Sequence, residues 1–209
     1  MSAPMTGFEA DLKALAEKNA DIVRALKFAG PPPSRNRKPG FPGLLRIIVN
    51  QQVSVHAGKA IWERLEKGLG RVTPKAVRET SEIRLRAFGL SRGKVRYAKE
   101  LSQAVMDGGL DLKGLERMGD DQVRQALTRV KGIGRWTADI YLMFALGRPD
   151  VWPVGDLALA VATERLLGLE TRPSPDELEA IGQAWRPWRT TAAMMLWHFY
   201  KHAEPLKED

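Results

Sequence analysis

Cysteine is missing from all 209 residues, which removes disulfides, thiolate-bound metals, iron-sulfur clusters and cysteine nucleophiles from consideration. No apolar run reaches the length that spans a bilayer, and residues 1–11 lack the basic-then-apolar pattern of a secretory leader. A cytosolic location without a membrane partner is therefore expected. Nor does any stretch alternate apolar and polar residues for long, so no sheet is predicted. Acidic residues are outnumbered: 25 aspartates and glutamates face 33 lysines and arginines, a formal net charge of +8. That balance is compatible with a polyanionic partner, since each neutralised phosphate releases condensed counterions, although basic proteins with other partners are common. Apolar residues make up 44% of the chain, enough to bury one or two helical cores.

What is present is helical periodicity. Phe8, Leu12, Leu15, Ile22, Val23 and Leu26 recur at helical intervals behind a capping-box spacing at Thr6 and Glu9, with a break around Asn19. The proline-rich segment 30–40 cannot be helical; with Arg35, Arg37 and Lys38 it is either a basic loop able to lie near a nucleic-acid backbone or a solvated connector. Leu44, Leu45, Ile47 and Ile48, then Ala57, Ala60, Ile61 and Leu65, mark two buried helical faces separated by Asn50, Gln51 and Gln52. Three successive amides are hard to bury without partners, so they either cap a helix or face a cleft or ligand. Gly89 to Lys94 is a tight connection that offers Leu90 and Arg92 as exposed, projecting side chains. Thr73-Pro74 and Ser174-Pro175-Asp176-Glu177 each open a helix. With about ten helical segments, the fold class is all-α.

The densest signal lies in residues 131–156. Lys131-Gly132-Ile133-Gly134-Arg135-Trp136 reads as a glycine-punctuated turn feeding a helix. Such a turn aims backbone N–H groups outward at a positive helix N-terminus, and its glycines let another backbone approach closely. Lys131 and Arg135 supply matching charge, but Gly-x-Gly turns also simply join helices. Gly155-Asp156 ahead of an apolar helix has the form of an ordinary N-cap. A carboxylate there is favoured by the helix dipole and is suited to stabilise positive charge developing opposite it. His198 and His202 share a helical face without a third ligand nearby, so no metal site built from side chains is expected. Tryptophans are core by default, yet those beside a polyanion site can stack on a base.

Residues 131–138, with Val154-Gly155-Asp156, resemble the hairpin and catalytic aspartate of the helix-hairpin-helix DNA glycosylases, in the branch of 3-methyladenine DNA glycosylase II. Trp185-Arg186-Pro187-Trp188-Arg189, Trp197 and Asn50-Gln51-Gln52-Val53-Ser54 match that branch as well. The resemblance covers roughly residues 40–205, and its separated motifs occur in the right order. It implies two helical lobes with an active cleft between them: residues 1–69 with 151–209, and residues 70–150 with the hairpin at about 122–146.

The implied activity is base excision repair: flipping a damaged nucleotide out of double-stranded DNA and hydrolysing its N-glycosidic bond. By position, Asp156 is the catalytic carboxylate. Trp136 and Trp197 line the base pocket, with Ile140 and Leu157 where a larger bacterial relative has aromatics. Lys131, Gly132, Ile133, Gly134 and Arg135 grip a phosphate, and a monovalent cation can sit on backbone carbonyls near Gly132 and Gly134; no other cofactor is implied. Gln51, Gln52, Leu90, Ser91 and Arg92 match elements that fill the gap left by the extruded base and contact the opposite strand. Which of Leu90, Arg92 and Gln52 enters the stack is left open. Strand-nicking members place a lysine nucleophile where this chain has Trp136, so hydrolysis without lyase activity is implied. The expected substrates are alkylated purines such as 3-methyladenine; the alternatives are a glycosylase for a neutral base (hypoxanthine, uracil, ethenoadenine) or a non-catalytic DNA-binding module. A monomer is expected, in the bacterial nucleoid or, in a eukaryote, the nucleus.

Overall fold

A computed structural model of the chain describes residues 7–34 and 39–203. Thr6 of the first capping box, and Arg35, Arg37 and Lys38 of the basic loop, lie outside the described residues. Among those described there are twelve α-helices and no strand, so the fold is all-α. None of the described helices is long and apolar enough to cross a membrane.

Two compact units form, one from residues 1–35 with 148–209 and the other from 36–147. The first holds α1 (Gly7–Lys18), α2 (Ala20–Ala29), α10 (Leu157–Leu167), α11 (Pro175–Gly182) and α12 (Arg189–His202). Asn19 interrupts α1 and α2 where the apolar spacing breaks, in extended conformation at φ −138°. The centre of this unit is α12, whose residues 189–196 are all buried against α10, α2 and α1. In its first turn, Arg189 is held by Asp150 (2.8 Å) and Glu179 (3.1 Å), and the Thr190 hydroxyl donates to the carbonyl of Arg148 (2.7 Å). Trp152 packs edge-on against Trp185 at 5.0 Å, a geometry worth about 0.5–1.5 kcal/mol beyond burial, and donates its indole N–H to Leu178 O at 2.8 Å. These contacts make the Trp185 to Arg189 segment a brace for residues 148–152, which lead directly into Asp156.

The second unit holds α3 (Phe41–Asn50), α4 (Val55–Leu69), α5 (Pro74–Glu79), α6 (Glu82–Ala87), α7 (Arg92–Met106), α8 (Asp120–Thr128) and α9 (Arg135–Phe144). Helix α3 is apolar on nearly every side, burying Phe41, Leu44, Leu45, Ile47, Ile48 and Val49, and it packs against α4, α7 and α9. A helix of that composition needs neighbours all round. This moves the division of the chain: sequence reading assigns residues 1–69 to one lobe, whereas the packing groups 36–69 with the middle of the chain.

Candidate active site and nucleic-acid interface

In the first unit, Asp156 is the N-cap of α10 at φ −89°, and its Oδ1 accepts from the backbone N–H of Leu159 at 2.8 Å. The same oxygen accepts from the indole N–H of Trp197 at 2.9 Å. Helix α12 is seated on α10, so the capping carboxylate is oriented from two helices rather than by its own turn alone. Asp156 and Trp197 are both half-buried, and Leu157, the next residue, is 63% exposed. Trp197, for which the sequence resemblance implies a pocket-lining role, here orients the Asp156 carboxylate. Nothing in its local sequence announces this, because the partner lies 41 residues away. The two C-terminal histidines face backbone: His198 Nε2 lies 2.9 Å from Ala29 O and His202 Nδ1 2.8 Å from His198 O.

In the second unit, α8 and α9 form the arms of the hairpin, closed by Val130 and Ile133, both buried. Arg124 on α8 ties the arms together through a 2.7 Å ion pair with Asp139 on α9, which is 1% exposed. Between them the turn presents its backbone. Gly132 has φ +91°, and a Cβ there would lie 2.1 Å from the Tyr97 ring, so both conformation and space demand glycine. Gly134 is the exposed N-cap of α9 with nothing within 4 Å of an added Cβ. Lys131 and Arg135 are exposed beside it. Ile133 belongs to the buried side of the turn, and its N–H is already donated to Val130 O at 3.1 Å. Trp136 follows in the first turn of α9, half-buried, and Ile140 lies one turn further on the same face, 5% exposed.

The three amides between α3 and α4 part company. Asn50 ends α3 with its side chain against Gly58, where an added Cβ would meet Asn50 Oδ1. Gln51 is turned inward: its Nε2 donates to Thr137 Oγ1 at 2.8 Å and to the Gly132 carbonyl at 3.3 Å. The Gln51 side chain, for which the resemblance implies a DNA contact, serves here as an internal brace on the hairpin. Gln52 is exposed and adopts φ +51°, a left-handed conformation costing a non-glycine residue roughly 1–2 kcal/mol. Beneath this turn, Lys94 of α7 donates to Val49 O (2.8 Å) and Gln51 O (2.7 Å), and burial pushes its pKa below the ordinary lysine value.

One further expectation is corrected here. Leu90 is 3% exposed, not projecting: Gly89 at φ +105° turns the chain so that the following leucine points into the core. Ser91 is the N-cap of α7, its hydroxyl accepting from Lys94 N at 3.3 Å. Only Arg92 of that trio is an exposed basic side chain, and with Arg86 and Ile83 it lines a shallow open depression. The Gly132 carbonyl, near which the resemblance places a monovalent cation, accepts from the Gln51 amide at 3.3 Å.

The family model described as HhH-GPD superfamily base excision DNA repair protein matches residues 45–187, a span that includes the Gln52 turn, the hairpin and Asp156. The chain belongs to this superfamily. Within it, the chain is 30% identical over 207 residues to DNA-3-methyladenine glycosylase 1 of Schizosaccharomyces pombe, covering 97% of this chain and 91% of that one. It is 29% identical over 162 residues to a putative DNA-3-methyladenine glycosylase of Bacillus subtilis; the match takes in 74% of this chain and 56% of that relative's length. The structure of an S. pombe 3-methyladenine DNA glycosylase in complex with abasic DNA superposes with a TM-score of 0.82 at 28% identity, covering 90% of this chain and 95% of that one. As an HhH-GPD superfamily member, the chain carries the helix-hairpin-helix at residues 120–144.

Proposed function

We propose that this chain is a monofunctional DNA glycosylase that removes alkylated purines such as 3-methyladenine from duplex DNA. The observation that carries this reading is the capping carboxylate of Asp156, oriented by both Leu159 N–H and the Trp197 indole. The hairpin amides of Gly132, Gly134 and Arg135 would hold a backbone phosphate, with Lys131 and Arg135 adding charge. Arg92 would contact the backbone as well, and Gln52 would fill the space left by the extruded nucleotide. The names of the relatives support the substrate class.

Alkylation at N3 or N7 makes the purine cationic, so the base leaves as a neutral molecule with little general-acid help. What the protein must supply is stabilisation of the oxocarbenium-like sugar. The Asp156 carboxylate provides that electrostatic term while water adds at C1′ and gives its proton to the carboxylate or to solvent. Trp136 and Trp197 favour an electron-poor base by stacking and cation–π attraction, about 0.5–2 kcal/mol each. No lysine stands at position 136 to form a Schiff base.

The test is a release assay on duplexes carrying 3-methyladenine, 7-methylguanine, 1-methyladenine, ethenoadenine, hypoxanthine or uracil, with chelator present and borohydride added in parallel. Release of the N3- and N7-methylated purines, with no borohydride-trapped covalent complex and no strand nicking, is expected. Release of only a neutral base moves the chain to another substrate class, no release at all leaves a binding module, and a trapped complex overturns the monofunctional assignment.

Trp197→Phe separates two roles of one side chain. It keeps an aromatic ring for stacking but removes the N–H that donates to Asp156. The single-turnover excision rate is expected to fall about tenfold, the worth of one hydrogen bond to a charged group, with binding to lesion DNA retained. An unchanged rate would mean that this bond does not position the carboxylate.

A further inference from the structure

The α3–α4 turn poses a question that the proposed activity does not answer: what holds Gln52, an exposed residue, in a left-handed conformation that glutamine disfavours? The turn is bound from below at two points. Lys94 reaches the end of α3, where carbonyls are left without helical partners, and bonds Val49 O and Gln51 O at once. An ammonium at a helix C-terminus is also favoured by the helix dipole. On the other side, Gln51 Nε2 is fastened to Thr137 Oγ1 and Gly132 O of the hairpin. With Val49 and Gln51 both gripped, Gln52 has its backbone set from the preceding side, and Ser54, capping α4 through Ala57 N at 3.2 Å, sets it from the following side.

The grip spends a partly buried charge on carbonyls alone among its described partners, an arrangement that burial makes costly. A neutral cap on α3 would avoid that cost. A charge-assisted pair of hydrogen bonds is shorter and stiffer, and stiffness is what a side chain needs if it must enter a base stack in one orientation.

We propose that Lys94 is a positioning residue: by bonding the carbonyls of Val49 and Gln51 it holds Gln52 in the left-handed conformation from which the glutamine side chain fills the gap left by an extruded nucleotide. This rests on the reading of Gln52 as the gap-filling residue. Lys94 itself touches neither the reacting sugar nor the base in this account, and it serves recognition of the distorted duplex rather than general affinity for DNA.

A double-mutant cycle on the full chain tests it, using Lys94→Met, Gln52→Ala and the double variant. Dissociation constants are measured by fluorescence anisotropy for a duplex with a tetrahydrofuran abasic analogue and for the undamaged duplex of the same sequence. Each single variant is expected to weaken binding to the abasic duplex about tenfold. Binding to undamaged DNA should stay within about twofold, and the double variant should be no weaker than either single one. Lys94→Arg, which keeps charge and donors, should recover part of the loss. Should Lys94→Met not fold, Lys94→Gln, which keeps donors without the charge, goes through the same cycle. Full additivity in the double variant, equal weakening on undamaged DNA, or no effect of the Lys94 substitution would overturn the positioning role. If Gln52→Ala alone leaves abasic binding intact, it is the gap-filling assignment of Gln52 that fails, and the proposal goes with it.

Discussion

Asp156→Asn is expected to slow excision severely while leaving the fold and DNA binding in place. Asparagine is as good an N-cap as aspartate, so its carbonyl oxygen can still accept from Leu159 N and from the Trp197 indole. What disappears is the negative charge. If that charge stabilises a developing oxocarbenium ion, its loss should cost on the order of 10²–10³ in single-turnover rate, the magnitude seen when one preorganised electrostatic contact is removed. Melting temperature and affinity for abasic duplex should stay near wild type, and affinity for lesion DNA should persist. Excision at the wild-type rate in this variant would remove Asp156 from the chemistry and return it to the role of a plain helix cap.

The second large effect separates the two hairpin glycines. Gly132→Ala places a methyl group 2.1 Å from the Tyr97 ring on a backbone with φ +91°. The left-handed conformation costs roughly 1–2 kcal/mol and the overpacking a further 1–3 kcal/mol, so the variant should be destabilised by about 3 kcal/mol. Part of the loss should pass to the Gln51 brace, because the Gly132 carbonyl is one of its acceptors. Gly134→Ala is the opposite case. Its φ of −91° suits alanine, and nothing lies within 4 Å of the new methyl, so stability should change by no more than about 0.5 kcal/mol. If a phosphate docks on the N-terminus of α9, however, that methyl stands in its way, and affinity for any duplex should drop about tenfold irrespective of damage. Chemical denaturation and anisotropy on the same two variants distinguish these outcomes. A Gly134→Ala protein that binds undamaged duplex as well as wild type does would mean that the phosphate does not approach there.

Both experiments depend on how much work a single side chain is asked to do, and the site is economical in that respect. Asp156 caps a helix and is proposed to carry the reactive charge; Trp197 orients that charge and is proposed to stack on the base. Gln51 is the instructive case. From its position in Asn50-Gln51-Gln52 it is indistinguishable from its neighbour, yet one glutamine braces the hairpin and the other stands in solvent.

The sequence by itself determined the all-α class, the break at Asn19, the helix starts at Thr73-Pro74 and Ser174-Pro175, the hairpin and the cap at Asp156. All of these rest on periodicity and capping, interactions spanning only a few residues, so they are written locally. Tertiary structure decided what each candidate side chain does. It turned Leu90 inward, fastened Gln51 to Thr137 across 86 positions, joined Trp197 to Asp156 across 41, and drew residues 36–69 into the unit that holds the hairpin. Those outcomes depend on which partner packing brings to a polar group that must be satisfied, and no local pattern carries that information.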